Sequence, residues 1–437
     1  MRHCIINILF FFLPLLCWGQ EYDDVFAIVE NASISNKAQD IRNAYNAILW
    51  GRNIHSSSSK MDDIMNKLEA DEIAIEFFEL PKSSGGSNYL AFVLKHGMDA
   101  PRLYHICSSD GLLSLLDSDC NFYNDTKVLT AITTPLAEEL KGVTTIYFVP
   151  DGKLHEIALE YCKDTNGKMF CENYEVYRLT SSCEVVQRRT CNRIMQKVTI
   201  WGGADYNEDN PRITSPLFVG EPRKSNLGMD SYRASKVIYE DLSHKGIECD
   251  FHYRSNATEE AFKNISGKGF DALVIETHGL LTRHENITSI RNASGPLMNQ
   301  ALAFAYASYV LEGGICPNGI EDGLVTAKEI SELDFHTIDL AIVSACKSGL
   351  GDIKWNGVHG LIRGFKLAGV HSMMVTLDNV VNHITGELWI QFFRNLTAGQ
   401  SKREALIGGI KYIRTMDNGA FSHPKYWTPF ILIDGIE

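Results

Sequence analysis

From residue 198 the chain alternates short apolar strands with amphipathic helices, and this pattern constrains the fold more than any other feature. Residues 198–200 read as a strand that stops at Gly202-Gly203, 231–244 as a helix, 249–253 as a strand and 258–265 as a helix. Two apolar runs of one type follow, at 270–275 and 338–343. Then come a helix over 357–368, a strand over 372–376, helices near 383–397 and 401–415, and a last strand over 429–433. Strands this apolar are buried on both faces, because a solvated face would place a polar residue at every second position. The expected fold class is α/β: a mostly parallel sheet with helices on both faces. Sites in such sheets form beyond the carboxyl ends of the strands.

A smaller α/β region and a short helical segment precede this part. Residues 36–50 and 61–68 carry apolar residues at three- and four-residue spacing, so 20–70 reads as helical. Residues 71–80 alternate like a strand, Ser83 to Ser87 (SSGGS) reads as a hairpin loop, and 89–95 is the return strand. A further strand, 144–149, enters the turn Pro150-Asp151-Gly152. The expected division is 1–19, 20–70, 71–195 and 196–437. No repeat of fixed period is present, and fifty residues of helix are too few for a stacked repeat array.

The first nineteen residues read as a signal peptide. Arg2 and His3 precede an apolar run over 5–18 that is short for a membrane span and is interrupted by Pro14. Gly19 suits a cleavage site, which makes Gln20 the first mature residue. A lipoprotein would use Cys17, but Leu16 is larger than the small residue such a site prefers. The expected location is therefore exported: periplasmic, cell-surface or secreted. No other stretch is long and apolar enough to span a bilayer. Eleven cysteines are present, and losing Cys4 and Cys17 leaves nine, an odd number, with Cys162 and Cys171 spaced to close a short loop. The net charge of −13 disfavours nucleic acid and anionic lipid as partners, since both call for a basic surface. No CxxC pair or HExxH helix occurs, so no metal or other cofactor is expected.

Two strand ends carry chemistry. One apolar strand runs into Thr277-His278-Gly279 and another into Ser344-Ala345-Cys346-Lys347-Ser348-Gly349. Parallel strands bring both ends to one sheet edge. A thiol needs a base to become a thiolate near neutral pH, and imidazole serves as one. Gly279 leaves its backbone N–H accessible, and with the N–H of Cys346 it forms a candidate oxyanion hole.

With these residues in view, the sequence resembles the CHAT family of caspase-like peptidases, related to separases, gingipains and caspases. The matching segments are Thr277-His278-Gly279, Asp322-Gly323 with 326–330 (TAKEI), 340–351 (LAIVSACKSGLG), 357–369 (GVHGLIRGFKLAG), 401–405 (SKREA) and 423–433 (HPKYWTPFILI). In the first half, 71–78 (DEIAIEFF) and 145–157 (TIYFVPDGKLHEI) join them, so the resemblance covers about 72–437. It implies a caspase-like catalytic domain over 196–437, with Cys346 as nucleophile, His278 as general base, Gly279 and Cys346 as oxyanion hole, and no third triad member. It also implies a protein or peptide substrate, and regulation by self-cleavage or a partner, with 283–322 as the candidate regulatory loop.

One departure stands out. Relatives carry Leu-Trp, a short gap and an Asp after the strand that follows the Cys. Here Asp378 holds the Trp position and Asn382 the Asp position. Candidate substrate-pocket residues are Glu276, Ser344 and Asp378, the last as an acidic group for a basic side chain. Glu276 is expected to point to the opposite sheet face from Thr277. The leading expectation is an exported cysteine endopeptidase. The alternatives are a non-catalytic interaction module that keeps the fold, and a thiol-dependent acyl transferase.

Overall fold

The computed structural model describes residues 20–52, 60–188, 195–206, 227–281, 295–308 and 321–437. The expected signal peptide, Cys191 and Cys316 lie outside these residues.

Sixteen strands occur among the described residues. They are β1 (Glu72–Pro81), β2 (Ser87–Lys95), β3 (Arg102–Ser108), β4 (Thr145–Val149), β5 (Glu175–Arg178), β6 (Lys197–Ala204), β7 (Glu248–Arg254), β8 (Ala272–Glu276), β9 (Gly279–Leu281), β10 (Gln300–Ala303), β11 (Leu324–Thr326), β12 (Leu340–Ser344), β13 (Asp352–Lys354), β14 (Gly357–His359), β15 (Ser372–Thr376) and β16 (Phe430–Ile433). Eleven of them form one sheet in the order β3-β2-β1-β4-β5-β16-β15-β12-β8-β6-β7. Neighbours are parallel except at β3/β2, β2/β1 and β16/β15. The expected mostly parallel α/β sheet is therefore present.

The sheet runs unbroken across the expected boundary at 195/196. Strand β16, from the second half, lies beside β5 of the first. It bridges β5 at Ile433↔Arg178 and pairs antiparallel with β15 from Met373↔Ile433 to Thr376↔Phe430. Asp434 reinforces the seam: its N–H donates to Arg178 O at 2.9 Å, and its carboxylate accepts from Thr180 N–H and Oγ1 at 2.8 Å. The 71–195 and 196–437 regions thus share one sheet.

Strand β1 shows why these residues sit inside. Ile73, Ile75 and Phe77 join the main core, while Ala74, Phe78 and Leu80 face the helices Gln20–Ser35, Ala38–Arg52 and Met61–Lys67. Both faces are thereby removed from water, each large side chain contributing about 1.5–3 kcal/mol. Glu76 on the helix side is fully buried, and Arg52 meets it at 3.2 Å and Asp151 at 3.0 Å. In the second half, Leu227–His244 packs on β6 and against Asn382–Thr397, which packs in turn against Lys402–Gly419. Capping boxes open two helices: Thr326 with Glu329, and Ser401 with Glu404.

Three sequence expectations are corrected. The helix expected over 357–368 begins at Leu361, because Gly357-Val358-His359 forms β14 and pairs with β13. Gly360 then approaches Gln300 so closely that a Cβ would stand 2.2 Å from its Oε1. Part of the segment 283–322 is strand, since β10 within it pairs with β9 and β11 in a small antiparallel sheet, while 283–294 and 309–320 lie outside the described residues. Cys162 and Cys171 are both free thiols; Cys162 Sγ turns instead toward Ala158 O.

Candidate active site

Strands β8 and β12 are parallel neighbours in register from Leu340↔Ala272 to Ser344↔Glu276. His278 and Cys346 each lie two residues past the last pair, so both leave the same sheet edge at the same level. Thr277 N–H still donates to Ser344 O at 3.2 Å. A Cβ on Gly279 would stand 2.7 Å from Cys346 O, so the two candidate oxyanion residues are in direct contact. Ala303 N–H donates to His278 O at 3.0 Å, making a hydrogen-bonded pair of the antiparallel β9–β10 ladder. Alternation then leaves Gly279, opposite Leu302, with its N–H turned away from β10. That N–H is therefore not consumed by the small sheet.

The turn that carries Cys346 is clamped from beneath. Ser348 is fully buried; its hydroxyl donates to Val343 O at 2.7 Å and accepts from Thr376 N–H at 3.0 Å. Thr376 Oγ1 donates to Ala345 O at 2.6 Å, and Gly349 N–H donates to Thr376 O at 2.8 Å. Lys347 takes φ +56°, a left-handed conformation uncommon for a side chain of this size, which these contacts hold in place. Gln300 of β10 donates to Lys347 O at 3.3 Å and accepts from Leu361 N–H at 2.8 Å, tying the turn to the next helix.

Both side chains are electrically muted. Burial pushes His278 down to about 4. Burial likewise pushes the Cys346 thiol up; the Val380 N–H beside the sulfur opposes this, Asp378 adds to it, and Lys347 and the Cys346 N–H oppose it further. Near neutral pH the arrangement is a neutral imidazole and a thiol, not a preformed ion pair. A neutral imidazole is the form that can accept a thiol proton as bond formation begins.

Of the three candidate pocket residues, Asp378 alone is exposed. Its carbonyl accepts from Lys347 N–H at 3.4 Å, and its carboxylate accepts from Asn379 N–H at 2.7 Å. Glu276 is 4 % exposed and accepts a hydrogen bond from Ser235 of Leu227–His244, whereas Thr277 contacts Tyr206 and Ala303. Burial raises Glu276 to about 8, so it is a neutral carboxyl near pH 7. Its carboxyl thus meets Ser235 on one sheet face, while Thr277 turns to the other. Ser344 is 8 % exposed and lies within the β8–β12 ladder.

Sequence reasoning missed four contributors. Tyr206 sets its ring 5.1 Å from His278 and bonds Thr277 Oγ1 at 2.9 Å. Val380 supplies the N–H beside the sulfur, Gln300 braces the turn, and Cys120, from the first half, feels the Asp378 carboxylate. Only the flagged 376–382 segment hinted at any of these. Among the described residues no group of three or more His, Cys, Asp or Glu is arranged to hold a metal ion.

A family model described as the CHAT domain matches residues 126–434. No curated protein matches the chain by sequence. Among solved structures, the complex of Porphyromonas gingivalis RgpB pro- and mature domains is similar at 10 % identity and a TM-score of 0.43, over 78 % of this chain and 73 % of that one. The Saccharomyces cerevisiae separase–securin complex is similar at 9 % identity and a TM-score of 0.49, over 92 % of this chain. The chain spans 31 % of the separase chain's length.

Proposed function

The chain belongs to the CHAT-domain family, and from that premise we propose that it is an exported cysteine endopeptidase acting through Cys346 and His278. One observation carries the reading. Two adjacent parallel strands in register deliver His278 and Cys346 to one edge, with Gly279 packed against the Cys346 carbonyl. Export is supported by the apolar run at 5–18 that follows Arg2 and His3.

In this mechanism His278 takes the thiol proton as the sulfur attacks the scissile carbonyl carbon. The carbonyl oxygen becomes an oxyanion and receives the N–H groups of Gly279 and Cys346. The imidazolium returns the proton to the departing amine, and the C–N bond breaks to leave a thioester on Cys346. His278 then deprotonates a water, which attacks the thioester and releases the acid and the thiol. Asp378, exposed and close enough to influence Cys346, suits a basic side chain next to the cleaved bond.

A positional peptide library tests this with wild type beside Cys346→Ala and His278→Ala. Wild type is expected to cleave after Lys or Arg, and neither variant to turn over. Equal labelling of wild type and Cys346→Ala by a thiol-directed probe would overturn the assignment of the nucleophile. The resting pair, with imidazole low and thiol high, also favours a second reading, an interaction module without turnover. Partner binding that survives Cys346→Ala, with no cleavage across the library, selects it.

A further inference from the structure

Strand β7 closes one end of the large sheet, and among the described residues no strand pairs with its outer side. Its inner side fixes which backbone groups are left over. Glu248 N–H donates to Gln196 O at 2.8 Å and Glu248 lies opposite Lys197, so Glu248, Asp250 and His252 turn their backbone groups inward to β6. Cys249, Phe251 and Tyr253 then turn theirs outward. Proteins ordinarily blunt such an edge, because its open N–H and C=O groups invite another strand. β7 carries no proline to do so.

The two faces of β7 differ. Toward Leu227–His244, the Phe251 ring lies 5.4 Å from Tyr239 and 5.0 Å from Tyr253, and Tyr253 lies 5.3 Å from Tyr232. All four rings stay partly exposed. On the other face His252 stacks on Trp201 at 3.9 Å and meets Asp250 at 3.0 Å. Glu248 reaches Lys197 at 3.2 Å, yet its side chain is 71 % exposed, and that of Asp250 is 50 % exposed. An open groove follows this face, with Glu248, Asp250 and His252 on one side and Asn264 and Lys268 on the other. The strand, 248–254 (ECDFHYR), is moreover its own complement when reversed: Glu248 falls on Arg254 and Asp250 on His252, with Phe251 at the centre.

We propose that β7 pairs antiparallel with β7 of a second copy of this chain, about a two-fold axis through Phe251, so that two sheets become one. In that register Phe251 exchanges both backbone hydrogen bonds with its counterpart, and Cys249 exchanges both with Tyr253 of the second copy. Asp250 comes opposite His252 and Glu248 opposite Arg254, the attractive kind of cross-strand pair. Moving the axis to residue 250 would set Asp250 against Asp250, and moving it to 252 would leave Glu248 unmatched, so charge selects one register. Leu227–His244 packs on β6, which puts the helices of the two copies three strand spacings apart, about 14 Å. Direct helix contact needs about 8–10 Å, and the tyrosines and Phe251 of both copies fill the difference. The sheet's other edge, β3, has no such symmetry, since it carries no acidic residue to face Arg102. Antiparallel pairing turns the two Cys346 edges to opposite ends of the joined sheet, so the proposal does not rest on any activity there.

Analytical sedimentation of the purified protein tests it. Twice the chain mass is expected at about 100 µM, and a monomer at that concentration overturns the proposal. Asp250→Arg sets an arginine against His252 on both sides of the axis, and His252→Asp sets an aspartate against Asp250. Each is expected to weaken the dimer about tenfold or more. Mixed in equal amounts, the two variants regain opposite charges in both pairs, so a heterodimer close to wild-type affinity is expected. A dimer indifferent to both substitutions, or a mixture no tighter than either variant alone, overturns the proposal. Should His252→Asp not fold, Tyr253→Cys decides. Cα atoms of an antiparallel hydrogen-bonded pair stand about 5.5 Å apart, a span that a disulfide bridges. Diamide oxidation is expected to link Cys249 of one copy to the introduced thiol of the other, as mapped by mass spectrometry. Links through other cysteines alone, or no covalent dimer, overturn the proposal.

Discussion

Replacing Gly279 with Ala adds one methyl group at the centre of the site. The added Cβ would stand 2.7 Å from Cys346 O and 3.4 Å from the Ala345 Cβ. Ordinary carbon–oxygen contacts fall at about 3.3–3.6 Å, so something must yield by about 0.6 Å. The obstructing atom is backbone, and its segment is held from below by Ser348, Thr376 and Gln300. No flexible side chain can swing away. Gly279 does not occupy positive φ, so Ala incurs no conformational strain of its own and the effect is steric. Overpacking of this kind costs about 1–3 kcal/mol of stability. If Cys346 is the nucleophile as proposed, displacing it by a large fraction of an ångström costs on the order of tenfold to a hundredfold in turnover. The backbone N–H survives the change, so a loss of rate reports displacement and not a missing oxyanion donor. Urea denaturation and peptide cleavage measured on the same preparation check both figures. Wild-type stability together with wild-type turnover would refute the packing described at Gly279.

Other predictions concern charge and titration. Alkylation of Cys346 by iodoacetamide is expected to rise about tenfold per pH unit to beyond pH 9, because the thiol is pushed up; a plateau between pH 5 and 8 would instead reveal a thiolate–imidazolium pair. His278 is held down to about 4 against an unfolded value of about 6.5. Its contribution to stability is therefore full above about pH 6.5 and is lost as pH falls toward 4, and urea midpoints of His278→Asn should fall less over that window. Glu276 is raised to about 8, so its contribution is full below about pH 4.3 and is lost as pH rises through 8. Glu276→Gln is expected to stabilise the protein by on the order of 1–3 kcal/mol at pH 7 and to change little at pH 4, and destabilisation at pH 7 would contradict the neutral carboxyl. Arg52→Met leaves Glu76 and Asp151 buried without their cation and should cost about 3–5 kcal/mol in urea denaturation.

The pattern from residue 198 reveals the parallel sheet because fully buried strands must be apolar throughout, as β8 and β12 are. His278 and Cys346 were legible for the same reason: each ends such a strand. What sequence reasoning missed depends on contacts distant along the chain. Gln300 reaches Lys347 across 47 residues, and β16 joins β5 across more than 250, with no local pattern to announce either. The helix start at 357 was misplaced because β14 forms only by pairing with β13. Glu276 stood among the candidate pocket residues by its place at the strand end beside His278. Its burial against Ser235 is a property of helix packing, which spacing along β8 does not contain.

The position of β16 has a consequence for how the molecule is made. Its four residues are the last strand in the sequence, yet they stand sixth of eleven across the sheet. During synthesis both halves can assemble most of their strands before residues 430–433 leave the ribosome. Until then β5 and β15 each present an unpaired edge, the surface most prone to wrong partnering. The Ser348–Thr376 clamp belongs to β15, whose other neighbour is β16. The turn that carries Cys346 therefore gains its full support only when this strand arrives, and a chain stalled or cut before residue 430 would carry Cys346 on an unfinished platform.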